Sequence, residues 1–236
     1  MIKNKKILAI IPARKNSERL KNKNLKKFKG KPLIFWTLKA AKKSKYIDKV
    51  VVSSNSQKAL NVSKQYKDFF LSKRPERFCT KKSELIDTVL YEIKKFKDYD
   101  IVILLQPTSP LRTSLDIDKS LNMMIKKFKK SSVSFVSLKC CEPHNFYLIK
   151  NKNKIKRVSK VKNYSTNRQS YAKFYYPSGD LYISYIDRII KKKNFIDRKT
   201  LPFLIKDKNS SDIDDIFDFK TAEYKASFVN KNFKCN

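Results

Sequence analysis

The chain has 236 residues, 41% of them hydrophobic, and a formal net charge of +35 from 56 Lys+Arg against 21 Asp+Glu. That length buries a sizeable core in one domain, and no apolar run approaches the roughly 18 residues that a membrane span requires. Four cysteines, with Cys140 and Cys141 adjacent, and a single histidine, His144, argue against a zinc site or a disulfide framework and leave reduced thiols as the expectation. The first apolar run ends at Pro12, too soon for a secretory signal, so a soluble cytoplasmic protein is expected. The positive excess is mostly Lys, spread along the whole chain beside abundant Asn and Ile and only two glycines, Gly30 and Gly179. It reads as compositional bias. RNP, KH, zinc-finger and basic-zipper patterns are absent, so neither nucleic acid nor membrane is an expected partner. The positive field still helps attract an anionic substrate. A basic RNA-binding protein stays as the non-enzyme alternative.

Ile7–Ile11 is a β-branched apolar run that predicts a buried strand. It empties into a loop crowded with cations and amides, from Arg14 to Asn24, at the carboxyl end of the strand, where open α/β sheets bind ligands. Gly30-Lys31-Pro32 signals a turn, and the spacing predicts a helix over Leu33–Lys43. Val50–Val52 predicts a short strand, Gln57–Tyr66 a helix capped by Asn55 or Ser56, and Phe69–Ser72 another strand. After a loop at Arg74–Arg77, a helix is predicted over Ser83–Phe96, with Leu85, Val89, Leu90 and Ile93 on one face. Ile101–Leu105 reads as a buried strand, Ser114–Lys127 as a helix with Leu115, Ile117, Leu121 and Met124 inward, and Val133–Leu138 as a strand. Residues 140–178 have no clean periodicity and read as an inserted lid or oligomerisation arm. Strand character returns at Asp180–Tyr185 and Phe203–Ile205, and a last helix is predicted over Ile216–Val229. The alternation predicts an α/β domain with a mainly parallel sheet.

Two segments could carry chemistry beside the basic loop. Asp212 and Asp214 stand two apart, which in an extended segment puts both carboxylates on one face. Paired carboxylates with phosphate oxygens suit Mg²⁺; helix capping by Asp214 or Asp215 is the competing explanation. Gln106-Pro107-Thr108-Ser109-Pro110-Leu111-Arg112 joins a strand to a helix. It is either a proline-stiffened surface loop or a site that needs low mobility.

Taken together and in this order, Ile10–Asn24, Gly30–Leu33, Val50–Ser56, Leu104–Arg112 and Asp212–Phe219 resemble the acylneuraminate cytidylyltransferases, the CMP-sialic and CMP-legionaminic acid synthetases and their relatives. The resemblance implies a Rossmann-like α/β fold of the nucleotide-diphospho-sugar transferase type with a small lid, a homodimer, and Mg²⁺. It implies transfer of CMP from CTP to a nine-carbon keto sugar acid, with pyrophosphate released. On the matching positions, Arg14, Ser17, Lys23 and Asn24 resemble the triphosphate and ribose contacts, with Arg14, Lys23 and Asp214 carrying catalysis. Arg74 resembles the residue near the cytosine, and Ser83 is placed with the nucleotide contacts. Gln106, Thr108, Ser109, Arg168, Gln169 and Tyr176 resemble the sugar side, and Asp212 and Asp214 the metal ligands. Three departures stand out: Asn16 replaces a frequent glycine, Lys81 an acid, and Ser178 the asparagine of Pro-Asn-Gly. The turn at Gly179 lacks the Asp-Ala-Gly-Gln pattern of pseudaminate enzymes, which favours a sialic- or legionaminic-type acid over a pseudaminic one; a 3-deoxy-manno-octulosonate cytidylyltransferase shares the chemistry and stays as an alternative. No residue stands out as a general base.

Overall fold

In the computed structural model, residues 4–15, 17–127, 134–141, 147–150, 154–157 and 174–229 are described. Strand β1 (Ile7–Pro12) is buried at every position. It is followed by a two-stranded ribbon, β2 (Lys27–Phe28) and β3 (Lys31–Pro32). Lys29 and Gly30 at its tip both have positive φ, 44° and 80°, as a two-residue turn of this hand requires. Helix α1 (Leu33–Lys43) starts directly after Pro32 with the predicted bounds and buries seven of its residues. Next come β4 (Lys49–Ser54), α2 (Gln57–Ser63) and β5 (Phe70–Lys73). Ser56 caps α2 by accepting from the Ala59 amide. Then follow α3 (Leu85–Ile93), β6 (Ile101–Leu104), α4 (Ser114–Lys127) and β7 (Ser134–Cys141). The hairpin β8 (Tyr147–Lys150) and β9 (Lys154–Arg157) precedes β10 (Phe174–Tyr185), α5 (Ile186–Lys192), β11 (Thr200–Leu204) and α6 (Ile216–Phe228).

Seven of these strands form one sheet in the order β11-β7-β10-β6-β1-β4-β5. β1 pairs in parallel with β4 and β6, and β5 with β4, while β10 runs antiparallel to both β6 and β7. Side chains alternate along β1, so Ile7, Ala9 and Ile11 face α1, α2 and α4, and Leu8 and Ile10 face α3 and α5. Both faces are covered, which is why the central strands read as unbroken apolar runs. A third cluster joins Leu20, Phe28 and Trp36 to Ile213, Phe219 and Ala222. It packs α6 and the segment before it against the loop that follows β1.

Four expectations need correction. Leu115 is 62% exposed, not inward. At 100° per residue it lies opposite the face set by Ile117, Leu121 and Met124. Helix α5 was not anticipated. β7 and β10 run further than predicted, pairing Leu138–Cys141 with Pro177–Phe174 beyond a bulge, so both ends of the 140–178 stretch are strand. The helix expected to reach Tyr66 stops at Ser63, whose hydroxyl donates to the Ala59 carbonyl at 2.9 Å.

A buried polar knot ties α3 to the sheet. Glu92 is fully buried, and its Oε1 accepts from Ser53 Oγ at 2.7 Å and Ser72 Oγ at 2.8 Å. Lys95 Nζ donates to Glu92 Oε2 at 2.9 Å and to Ser72 Oγ at 2.8 Å. Glu92→Ala leaves two buried hydroxyls without their acceptor and takes the carboxylate from Lys95, which keeps Ser72 and partial access to water, and should cost about 2–4 kcal/mol. Urea denaturation measures this; a loss below about 1 kcal/mol would show the knot to be dispensable.

Candidate active site

β1, β5 and β6 end on the same side of the sheet, and their carboxyl-end loops enclose a cleft of about 420 Å³. Arg14, Ser17, Lys23 and Asn24 line it from the loop after β1, Arg74 from the end of β5, and Ser83 from the loop before α3. Gln106 and Thr108 follow β6, and Asp212 and Asp214 precede α6. Ten of the predicted site residues therefore meet in one place.

Several have geometry that the sequence does not reveal. Asn24 Nδ2 donates to the Arg14 carbonyl at 3.0 Å, so it fixes the backbone that carries Arg14. Lys23 Nζ donates to the Ile213 carbonyl at 2.7 Å and to Asp214 Oδ1 at 3.1 Å. Arg19 meets the other oxygen of Asp214 at 2.7 Å. The basic loop and the acidic segment, far apart in sequence, are thus stitched together directly. Arg74 is buried, and one amino group donates to Thr88 Oγ1 at 3.0 Å. Its Nε and other amino nitrogen have no hydrogen-bond partner among the described residues, though the Cys79 sulfur lies close by. Burial holds this guanidinium below its ordinary pKa. The Ser83 hydroxyl accepts from the Thr80 amide at 3.1 Å and donates to the Arg77 carbonyl at 2.8 Å, shaping the loop that forms one wall.

The three neighbouring acids divide their work. Asp215 caps α6 in a reciprocal box with Asp218, and Asp218 also accepts from the Asp214 amide at 2.9 Å. Capping is therefore assigned to Asp215, and Asp212 and Asp214 turn into the cleft. Burial, with the nearby Asp214 charge, holds the Asp212 carboxyl above its usual range. The arm carrying the pair is anchored where the Ile213 amide donates to the Thr108 carbonyl at 3.0 Å. Two carboxylates without thiol or imidazole suit a hard cation that keeps sites for water and phosphate oxygens. No group of three or more His, Cys, Asp or Glu residues that could hold a metal occurs among the described residues.

Three groups of predicted residues lie elsewhere. Ser109 is completely buried and does not line the cleft, because its amide turns back onto the Gln106 carbonyl at 3.3 Å. Tyr176 lines a separate cavity of about 160 Å³ behind Asp212, with Ser178, Ser210 and Asp218. Arg168, Gln169, His144 and Asn16 fall outside the described residues.

The cleft also contains residues that sequence reasoning missed. Phe78, Thr80, Leu85 and Thr88 form its wall, and Lys81 reaches Glu18 at 3.4 Å across the mouth. A further cavity of about 240 Å³ shares Glu84 and Leu85 with the cleft and adds Tyr182, Phe195 and Ile196. Arg112, buried at the root of the β6 loop, donates to the Gln106 carbonyl at 3.2 Å and to Thr37 Oγ1 at 2.8 Å. Burial lowers its pKa to about 10 and raises that of neighbouring Asp180 to about 6. The cleft can hold a polyanion near Arg14 and Lys23, a planar group near Arg74 and Phe78, and an apolar substituent beyond Leu85.

A family profile described as Cytidylyltransferase matches residues 8–225. The N-acylneuraminate cytidylyltransferase of Escherichia coli O18:K1:H7 is 31% identical over 230 residues, covering 92% of this chain and 51% of that protein. The CMP-N,N'-diacetyllegionaminic acid synthase of Legionella pneumophila is 34% identical over 225 residues, covering 92% of this chain and 95% of that protein. The chain thus spans about half the length of the first and nearly all of the second. A solved CMP:2-keto-3-deoxy-manno-octonic acid synthetase complexed with CTP superposes with a TM-score of 0.67 at 16% identity, covering 95% of this chain and 99% of that one; this likeness shows the fold. With the match running from β1 into α6, through every segment that builds the cleft, the chain belongs to the cytidylyltransferase family.

Proposed function

We propose that the protein transfers CMP from CTP to a nonulosonic acid of the sialic or legionaminic type. The observation that carries this reading is the convergence of Arg14, Lys23, Arg74, Gln106, Asp212 and Asp214 on one cleft. The hydroxyl on C2 of the sugar acid attacks the α-phosphorus in line, a new C2–O–P bond forms, the bond to pyrophosphate breaks, and the hydroxyl proton is released to water. Arg14 and Lys23 offset the charge growing on the departing pyrophosphate. Arg74, held by Thr88 and short of partners, meets the base end of the nucleotide. Gln106 and the adjoining cavity at Tyr182, Phe195 and Ile196 receive the sugar acid. Arg168, outside the described residues, or a lysine of the 140–178 stretch is the candidate partner of its carboxylate.

Asp212 and Asp214 are the residues that would hold Mg²⁺, and the chemistry it supplies there is neutralisation of phosphate charge. In that role Asp214, which here pairs with Arg19 and Lys23, would give carboxylate oxygens to the cation. Residues 140–178 are read as a lid and homodimerisation arm, a reading supported by the exposed Phe174, Tyr175 and Tyr176 at the start of β10. A cytoplasmic setting follows from the CTP requirement, and no described helix is long and apolar enough to cross a membrane.

Pyrophosphate release across a panel of sialic, legionaminic, pseudaminic and 3-deoxy-manno-octulosonic acids tests the assignment. Release should require both CTP and a sialic- or legionaminic-type acid. Release with the octulosonic or pseudaminic acid alone would overturn the substrate class.

A further inference from the structure

The segment that carries Asp212 and Asp214 has no regular structure between residues 210 and 214. Its position is set by anchors at its two ends and one in the middle. At the far end Asp215 is locked in the cap of α6, and in the middle Ile213 is held by Thr108 and Lys23. At the near end Ser210 is 1% exposed, and its hydroxyl donates to Asp180 Oδ2 at 2.6 Å.

Asp180 is an unusual partner for a serine. It sits on β10 with no exposure to solvent, where a carboxylate is costly and a smaller neutral residue would fill the sheet. Its own carbonyl accepts from the buried guanidinium of Arg112, which also grips the Gln106 carbonyl. One residue before it, Gly179 has a φ of 79° and lies so close to Asp212 that an added Cβ would stand 3.0 Å from Asp212 Oδ2. The turn at Gly179 therefore forms the floor under Asp212, and Asp180 ties that floor to the start of the arm.

We propose that Asp180 is a positioning residue for the acidic arm: through Ser210 it fixes where Asp212 and Asp214 stand in the cleft. The inference rests on the reading of those two aspartates as metal ligands. Arg112 completes the device by joining the same turn to the loop that carries Gln106, so both sides of the cleft share one buried support.

The test is Mn²⁺ binding to the full chain in the presence of CTP, followed by the paramagnetic resonance signal of free Mn²⁺. Ser210→Ala removes the tether and little volume. It should weaken Mn²⁺ binding roughly 10–100-fold, the usual range for outer-shell partners of a metal site, while CTP binding without metal stays unchanged. Asp180→Asn keeps an acceptor oxygen for Ser210 and should stay within about threefold of the wild type, whereas Asp180→Ala should match Ser210→Ala. The double alanine variant should lose no more than either single one, as expected for two residues acting through one contact. Wild-type Mn²⁺ affinity in Ser210→Ala, even with a lowered melting temperature, would overturn the proposal. So would an Asp180→Asn variant as weak as Ser210→Ala. A wild type that binds no Mn²⁺ with CTP present would instead overturn the metal reading, and this inference with it.

Discussion

Asp214→Ala is expected to lower kcat by roughly 10²–10³-fold at saturating CTP and Mg²⁺, a loss of the size seen when one preorganised charge contact to a transition state is removed. The fold should survive. The Asp214 side chain is 42% exposed and its pairs with Arg19 and Lys23 lie near the surface, where such pairs contribute little to stability. The cap of α6 is made by Asp215 and Asp218 and does not need the Asp214 carboxylate. Steady-state kinetics with circular dichroism and thermal melting separate the two effects. A variant with kcat within about threefold of the wild type would remove Asp214 from the chemistry.

Lys23→Ala should bring a comparable loss, again roughly 10²–10³-fold in kcat, with a smaller change in KM for the sugar acid. The reason is position. Its side chain is 13% exposed, and the ammonium is held at the Ile213 carbonyl, between the basic loop and the acidic arm. A charge fixed there before the reaction needs little rearrangement as the pyrophosphate departs. Arg14 is exposed at the cleft, so its loss is expected to lower kcat by less than the loss of Lys23 and to weaken CTP binding as well. An unchanged kcat in Lys23→Ala, with only KM raised, would place Lys23 in ground-state binding alone.

The central strands were legible because burial on both faces leaves a plain signature, as in Ile7–Ile11 and Ile101–Leu105. α1 was legible to its bounds because Pro32 sets its start. α5 was hidden because seven residues following the strand residues Leu181–Tyr185 are too few for a helical period to emerge. Leu115 misled because the first turn of a helix fixes its phase poorly until later residues define the face.

The lining of the cleft was legible where charge clusters, as with Arg14 and Lys23 in the loop after β1 and Asp212 and Asp214 in the segment before α6. Its wall was not, because Leu85 and Thr88 sit on an amphipathic helix and look like core. The family resemblance of the loop after β6 implies a sugar-side role for Ser109, yet the turn onto Gln106 folds it inward. Asp180 carries no signal of its own in the sequence. A lone acid in a strand reads as a solvent-facing residue, and only the pairing of β10 between β6 and β7 puts it inside.

Under the proposed function the α-phosphate of CTP moves to the C2 oxygen of a nonulosonic acid. The most direct measurement follows label from CTP carrying ³²P at the α-position, incubated with the protein, Mg²⁺ and a sialic or legionaminic acid. The expected result is label in a CMP-sugar and unlabelled pyrophosphate in equal amount. Label that stays in CTP, or appears as free CMP at the same rate without the sugar acid, would contradict it.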